Sequence, residues 1–172
     1  MFETIESATS RLDKVLSQLR NKQVAESNDK QQVNVNKLIE NVINQRNIDK
    51  PGVTMELDVD IEMMIEHDTF FSVLNHLVQN AQEATKDSGW VKIKASILDD
   101  YLHLAVLDNG CGMSQEFIKK RLFKPFDTTK GNAGMGIGVY EAKQFIENLG
   151  GTMQVTSFEN EGSIFHLSIP CT

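Results

Sequence analysis

Asp108-Asn109-Gly110-Cys111-Gly112-Met113 opens, and Gly134-Met135-Gly136-Ile137-Gly138 closes, the stretch around which this chain is organised. Between them lies Leu122-Phe123-Lys124-Pro125-Phe126-Asp127-Thr128-Thr129-Lys130, which has a basic end and little helical or strand periodicity. Glycine lacks a Cβ, so backbone N–H groups at such positions can close on a phosphate. The second cluster runs into Val139-Tyr140-Glu141-Ala142-Lys143-Gln144-Phe145-Ile146, whose pattern predicts a helix. Glycines at a helix N-terminus make a ready anion site. One cluster alone reads as an ordinary turn. Two, with Lys130 between them and an acidic residue ahead, carry more weight.

Strands and helices extend from this stretch in both directions. Residues 101–107 alternate apolar and polar and deliver Asp108 at their end. Residues 91–97 alternate likewise, with Asp99-Asp100 as the hairpin turn between them. A short helix is expected over 115–121. Downstream, Gly150-Gly151 stops the helix that follows the second cluster. Residues 152–158 and 163–169 then form a hairpin turned by Glu159-Asn160-Glu161-Gly162. Upstream, Asp68 reads as the N-cap of a helix with Phe71, Leu74, Leu77, Val78, Ala81 and Ala84 facing inward. His76, Asn80 and Glu83 share a polar stripe of that helix, spaced four and three apart. Such a stripe is usually a solvated face, and it gains meaning only beside the glycine clusters.

The remaining elements are simpler. Residues 32–35 read as a strand, Asn36 as the cap of a helix carrying Leu38, Ile39, Val42 and Ile43, and Pro51-Gly52 as a turn. Val53, Met55 and Leu57 line one side of a strand, and 63–66 read as another. Residues 1–23 place Phe2, Ile5, Thr9, Leu12, Leu16 and Leu19 three and four apart, an amphipathic helix that needs a partner. Residues 24–32 are polar and read as a linker, leaving 33–172 as one domain. The expected fold is α+β, a two-layer sandwich of a mixed, mostly antiparallel sheet packed against helices.

A net charge of −7 argues against a general nucleic-acid surface. Cys111 and Cys171 lack metal-ligand spacing, which fits a reducing, cytoplasmic setting. No run is long and apolar enough for a membrane span, and the N-terminus does not read as a signal peptide.

The motif order closely resembles the ATP-binding domain of the GHKL superfamily, and within it the sensor histidine kinases. Asn80-Ala81-Gln82-Glu83-Ala84 is similar to the N box, and residues 123–130 to the F box. The glycine clusters resemble the two glycine boxes flanking an ATP lid, and Gly162-Ser163-Ile164-Phe165 the last small box. The resemblance spans about residues 33–170. Residues 1–23 resemble the second helix of a dimerisation and phosphoacceptor hairpin. The runs 4–11 and 134–141 look most like the kinase associated with PEP-CTERM exopolysaccharide systems.

The resemblance implies ATP and Mg²⁺ as ligands and a role for each box. Asp108 would accept from the adenine amine, with Gly112 letting the ring approach, Gly110 in the same glycine box, Met113 as an apolar wall and Ser163 bonding nearby through water. Asn80 would ligate Mg²⁺. Lys130 would neutralise phosphate, while Thr128 and Thr129 would donate to phosphate or merely to the loop backbone. Gly134, Gly136 and Gly138 would face the phosphates, with Met135, Ile137 and Phe126 as apolar walls. His76 stands where many kinases have Asn, Glu83 where many have Lys, and Lys124 where an acidic residue is frequent, so the roles of His76 and Glu83 stay open. Without the neighbouring boxes, Asp108 is a strand-end turn residue and Lys130 a solvated loop cation. The lid, about 113–133, is expected to order on nucleotide.

Of His67, His76, His103 and His166, only His67-Asp68 has the His-acidic start of a phosphoacceptor motif. It lies just before the N-box helix and reads as a strand-end residue. The chain is therefore expected to be a fragment, completed by its own dimerisation and phosphoacceptor domain. The full-length protein is expected to be a homodimer, anchored in the inner membrane, that passes phosphate to a response regulator. The alternative is a nucleotide-sensing module that does not transfer.

Overall fold

The computed structural model describes residues 30–125 and 137–171. The expected N-terminal helix, most of the linker, and Phe126, Thr128, Thr129, Lys130, Gly134, Met135 and Gly136 lie outside the described residues. From Gln31 onward the chain forms one compact unit. Its elements are β1 (Gln31–Asn34), α1 (Val35–Arg46), β2 (Val53–Asp58), β3 (Glu62–Ile65), α2 (His67–Ala84), β4 (Val91–Leu98), β5 (Tyr101–Asp108), α3 (Gln115–Lys120), α4 (Gly138–Asn148), β6 (Thr152–Phe158) and β7 (Gly162–Pro170).

Five strands form a sheet in the order β2-β4-β5-β7-β6, and β1 pairs with β3. Only the β2–β4 pair is parallel in the large sheet; β4–β5, β5–β7 and β6–β7 are antiparallel. The expected mixed sheet is thus present. Its inner face follows strict alternation, because successive side chains of a strand point to opposite sides. In β5, Leu102, Leu104 and Val106 are buried while His103, Ala105 and Leu107 are half-buried on the other face. The inward row meets Leu38, Ile39 and Val42 of α1, Phe70, Leu74, Leu77 and Val78 of α2, and Ile146 of α4 in one core. Asp99 and Asp100 both have positive φ, 52° and 63°, as a two-residue hairpin turn requires.

Local chemistry moved several boundaries. Helix α1 is capped by Asn34, whose side chain accepts from the Lys37 N–H at 3.0 Å, not by Asn36. Val35 is completely buried, which starts the helix two residues early, and Asn36 instead donates to the Val59 carbonyl at 2.6 Å. Asp68 is not a cap either. It lies in the first turn of α2, where its charge favours the helix N-terminus, and Glu66 holds the cap position. His67, expected at a strand end, is the first residue of that helix. Phe70 rather than Phe71 points inward and stacks on Phe145, with ring centroids 6.2 Å apart.

Gln82 is also buried, at a position where sequence periodicity suggests only apolar residues. Its amide donates to the Pro51 carbonyl at 2.8 Å and the Arg46 carbonyl at 3.1 Å, and accepts from Arg46 Nε at 3.0 Å. It thereby satisfies carbonyls at the C-terminal end of α1 and in the following turn, which makes burial of a polar group tolerable.

On the outer face Glu56 lies opposite Lys94 and bonds to Lys92 and, at 2.7 Å, to Lys94. The hydrogen bonds from Lys92 and Lys94 hold its carboxyl down from 4.5 to about 2. A depressed folded-state pKa gives stability that is present above the ordinary value and lost as pH falls through the folded one. The thermal midpoint should therefore fall between pH 4.5 and 2 partly through Glu56, an effect reduced by salt because the pair is exposed. Glu56→Gln should fall less steeply over that window. Parallel midpoint curves for the two proteins would remove this contribution.

Candidate functional site

Asp108 ends β5 and is 5 % exposed. Its Oδ1 accepts from the Gly110 N–H at 2.8 Å. Burial pushes its carboxyl above the ordinary range, while hydrogen bonds from the backbone of Gly110 and Ser163 pull the other way. The structure thus holds a carboxylate with acceptor capacity in a desolvated position, where a donor gains most.

The loop that follows is locked by glycines on three sides. A Cβ on Gly110 would lie 2.4 Å from the Ala84 carbonyl oxygen at the end of α2. Gly112 has φ +64°, and a Cβ there would lie 1.8 Å from the Phe158 carbonyl oxygen of the β6–β7 hairpin. Gly162, with φ +101°, presses in the same way on the Asp108 carbonyl oxygen, at 2.0 Å. The Cys111 N–H donates to the Ala84 carbonyl at 2.9 Å, and the Asn160 N–H to the Cys111 carbonyl at 2.7 Å. Asn109 Oδ1 accepts from the Trp90 N–H at 2.7 Å.

Ser157 completes this end and was missed in the sequence. Its hydroxyl donates to the Gly162 carbonyl at 2.8 Å, accepts from the Met113 N–H at 2.8 Å and lies 2.9 Å from the Ser163 hydroxyl. Ser163 is therefore tied to the protein through Ser157. The available signal was a serine on the inward side of β6, after Met153 and Val155. Gly112→Ala should destabilise the domain by about 2 kcal/mol or more, since left-handed backbone strain alone costs roughly 1–3 kcal/mol. Gly52→Ala, whose Cβ would meet only Asn47 Oδ1 at 3.7 Å, should change little. Denaturant midpoints of the two variants check the contrast.

The second end is built on the same helix. His76, Asn80 and Ala84 are one turn apart along α2. Asn80 is half-buried, and Glu83 is exposed with its Oε1 accepting from Gln79 Nε2 at 2.7 Å. A Cβ on Gly138, the first residue of α4, would lie 1.8 Å from His76 Nε2. Ile137 precedes it as N-cap without a side-chain cap bond, so no side chain at that position takes up the first-turn N–H groups. Helix α2 thus touches the first glycine loop at Ala84 and Gly138 at His76, about 12 Å apart at the helical rise. Asn80 sits midway.

Among the described residues, no three His, Cys, Asp or Glu side chains group as a metal cage, and no helix is long and apolar enough to cross a membrane.

Residues 65–172 match the family of histidine kinase-, DNA gyrase B-, and HSP90-like ATPases. The chain belongs to that family. This ATPase domain is 33 % identical over 123 residues to sporulation kinase E of Bacillus subtilis (strain 168), covering 69 % of the chain and 16 % of that kinase. It is 29 % identical over 175 residues to sporulation kinase A of the same organism, covering 98 % of the chain and 28 % of that kinase. The chain therefore spans less than a third of either. Among solved structures, the nucleotide-free catalytic domain of histidine kinase ThkA is 29 % identical with a TM-score of 0.72, covering 84 % of this chain and 97 % of that one. ThkA in complex with the response regulator TrrA is 26 % identical with a TM-score of 0.73, covering 96 % and 48 %. The fold is that of a histidine kinase catalytic ATPase, and the domain is an ATP-binding one.

Proposed function

We propose that residues 33–172 bind ATP along α2 and donate its γ-phosphoryl group to a histidine on a dimerisation hairpin, of which residues 1–23 form the closing helix and 24–32 the linker. The observation that carries this is the placement of Asn80 midway between the Ala84–Gly110 and His76–Gly138 contacts. Adenine then lies at the Asp108 end, donating its amine to the carboxylate beside Gly110, Gly112, Met113 and Ser163. The phosphates lie toward Gly138 and Ile137, where the first-turn N–H groups of α4 favour anions. Thr128, Thr129, Lys130, Gly134, Met135 and Gly136 belong to the phosphate end through the resemblance of their boxes. Glu83 flanks Asn80 one turn on.

Mg²⁺ fits the donors present. A hard amide oxygen, where no three His, Cys, Asp or Glu among the described residues group as a cage, suits an ion that keeps waters and takes its other ligands from phosphates. Asn80 would hold it, and the ion when bound neutralises charge on the phosphate oxygens. The chain's own work is positioning, which dominates phosphoryl transfer. Partners on this reading are the chain's own acceptor hairpin, a second copy in a homodimer and a response regulator, with the domain in the cytoplasm of a membrane-anchored protein.

None of the four histidines suits the acceptor role. His67 bonds to Asp68 at 2.9 Å and stacks on Phe71, His76 lies against Gly138, and His103 and His166 stack on each other on the outer sheet face. With radiolabelled ATP and Mg²⁺, acid-labile phosphate should appear on an added acceptor hairpin and not on this chain. Label on the isolated chain that disappears on mutating His67 would show the acceptor to be misplaced. ATP binding with no label on the hairpin would favour a nucleotide sensor.

A further inference from the structure

We propose that His76 and Gly138 are a size-matched pair, and that His76 is a positioning residue that sets the phosphate-facing end of α4. The inference deepens the proposed nucleotide site and rests on that reading. A Cβ at position 138 would lie 1.8 Å from Nε2, 2.1 Å from Cδ2 and 2.3 Å from Cε1 of His76. All three nearest atoms belong to one imidazole. At Gly110, Gly112 and Gly162 the nearest atom is instead a backbone carbonyl oxygen. Gly112 and Gly162 also have positive φ, whereas Gly138 does not. Gly138 therefore has no left-handed backbone need for glycine, and inside a helix glycine is less favourable than alanine. The room it leaves for the ring is the reason the structure offers.

The contact has a consequence for α4. Its N-cap residue, Ile137, makes no side-chain cap bond. The His76 ring supplies a stop from the neighbouring helix, one turn before Asn80. A planar ring packed on a backbone fixes a distance better than a flexible chain does, because interiors are close-packed and intolerant of overlap. Asn80 on α2 and the first-turn N–H groups of α4 are thereby held in one register. His76 acts through α4, without touching the reacting atoms.

Four proteins test this: the parent, Gly138→Ala, His76→Ala and the double variant, each titrated with ATP plus Mg²⁺ and with adenosine and followed by amide chemical shifts. Gly138→Ala should weaken ATP at least about tenfold, by overpacking against the ring, and adenosine much less. The double variant should recover most of that loss, and His76→Ala alone should lower the ratio of ATP to adenosine affinity. A double variant no better than Gly138→Ala, or equal losses for ATP and adenosine, would overturn the pairing. If Gly138→Ala fails to fold while the double variant folds, the pairing is supported. If both fail, the affinity ratio in His76→Ala decides, and an unchanged ratio overturns it. A parent that binds neither ligand sinks the nucleotide site alone. The thermal midpoints of the four proteins then still read the pair, non-additive if the pairing holds and additive if it does not.

Discussion

Asn80→Ala should leave the domain folded and lower phosphorylation of an added acceptor hairpin by about a hundredfold or more, the size expected when a metal's several kcal/mol of charge stabilisation is lost. Asn80 is half-buried and lies on the polar stripe of α2, while the core side of that helix is filled by Leu74, Leu77, Val78 and Ala81. Truncating it therefore opens no core cavity. The inward packing and the Gln82 network that anchors α2 to the end of α1 are untouched. The loss should fall on the Mg²⁺ dependence of ATP binding and on transfer. A variant that transfers at the parental rate would remove Asn80 from the site.

Asp108→Asn should weaken ATP by roughly 1.5–3 kcal/mol, the worth of a hydrogen bond to a charged group. That is about ten- to a hundredfold in affinity. The direction follows from where Asp108 sits. Burial raises its pKa, so in the empty domain its contribution to stability is fully present below the ordinary carboxylate range and is lost as pH rises through the raised value. The ionised form is costly there, and only the Gly110 and Ser163 backbone bonds oppose that cost. An amine donor from the base relieves it. The same substitution should narrow the preference for ATP over GTP, because guanine presents an oxygen where adenine presents its amine and only an amide can donate to it. Competition calorimetry with the two nucleotides reads both effects. Unchanged ATP affinity in Asp108→Asn would sink the adenine assignment.

Much of this domain was legible because its strands obey a period of two. The alternation in 101–107 and 91–97 gave the central hairpin, and the register then places Asp108 opposite Val91 and Ser163. The two-residue turn at Asp99-Asp100 was equally plain. Helix boundaries were less so, for a physical reason: Asn34 and Asn36 are both able caps, and only the burial of Val35 decides between them. Phe70 and Phe71 are equally apolar, and which faces inward depends on Phe145 from α4.

Within the site, the residue types could be read and their contacts could not. Asp108, Gly110, Gly112, Met113 and Ser163 do gather, but the link through Ser157 comes from a strand more than forty positions away from Met113. In sequence the glycines of the two clusters read as room for a ligand and Gly162 as part of a turn. In the structure Gly110, Gly112 and Gly162 make room for carbonyl oxygens of the protein, and Gly138 for a side chain. His76 was singled out by its stripe and by its departure from the related kinases, and only the packing of α2 on α4 shows what it touches.

The account stands most directly on where ATP binds. Amide chemical shifts of this chain should be followed during titration with ATP and Mg²⁺. Saturable, one-to-one shifts are predicted at Gly110, Gly112 and Ser163 at one end and at Ile137 and Gly138 at the other, with those of the outer-face residues His103 and His166 unmoved. Shifts confined to the outer face, or no saturable change at either end of α2, would contradict it.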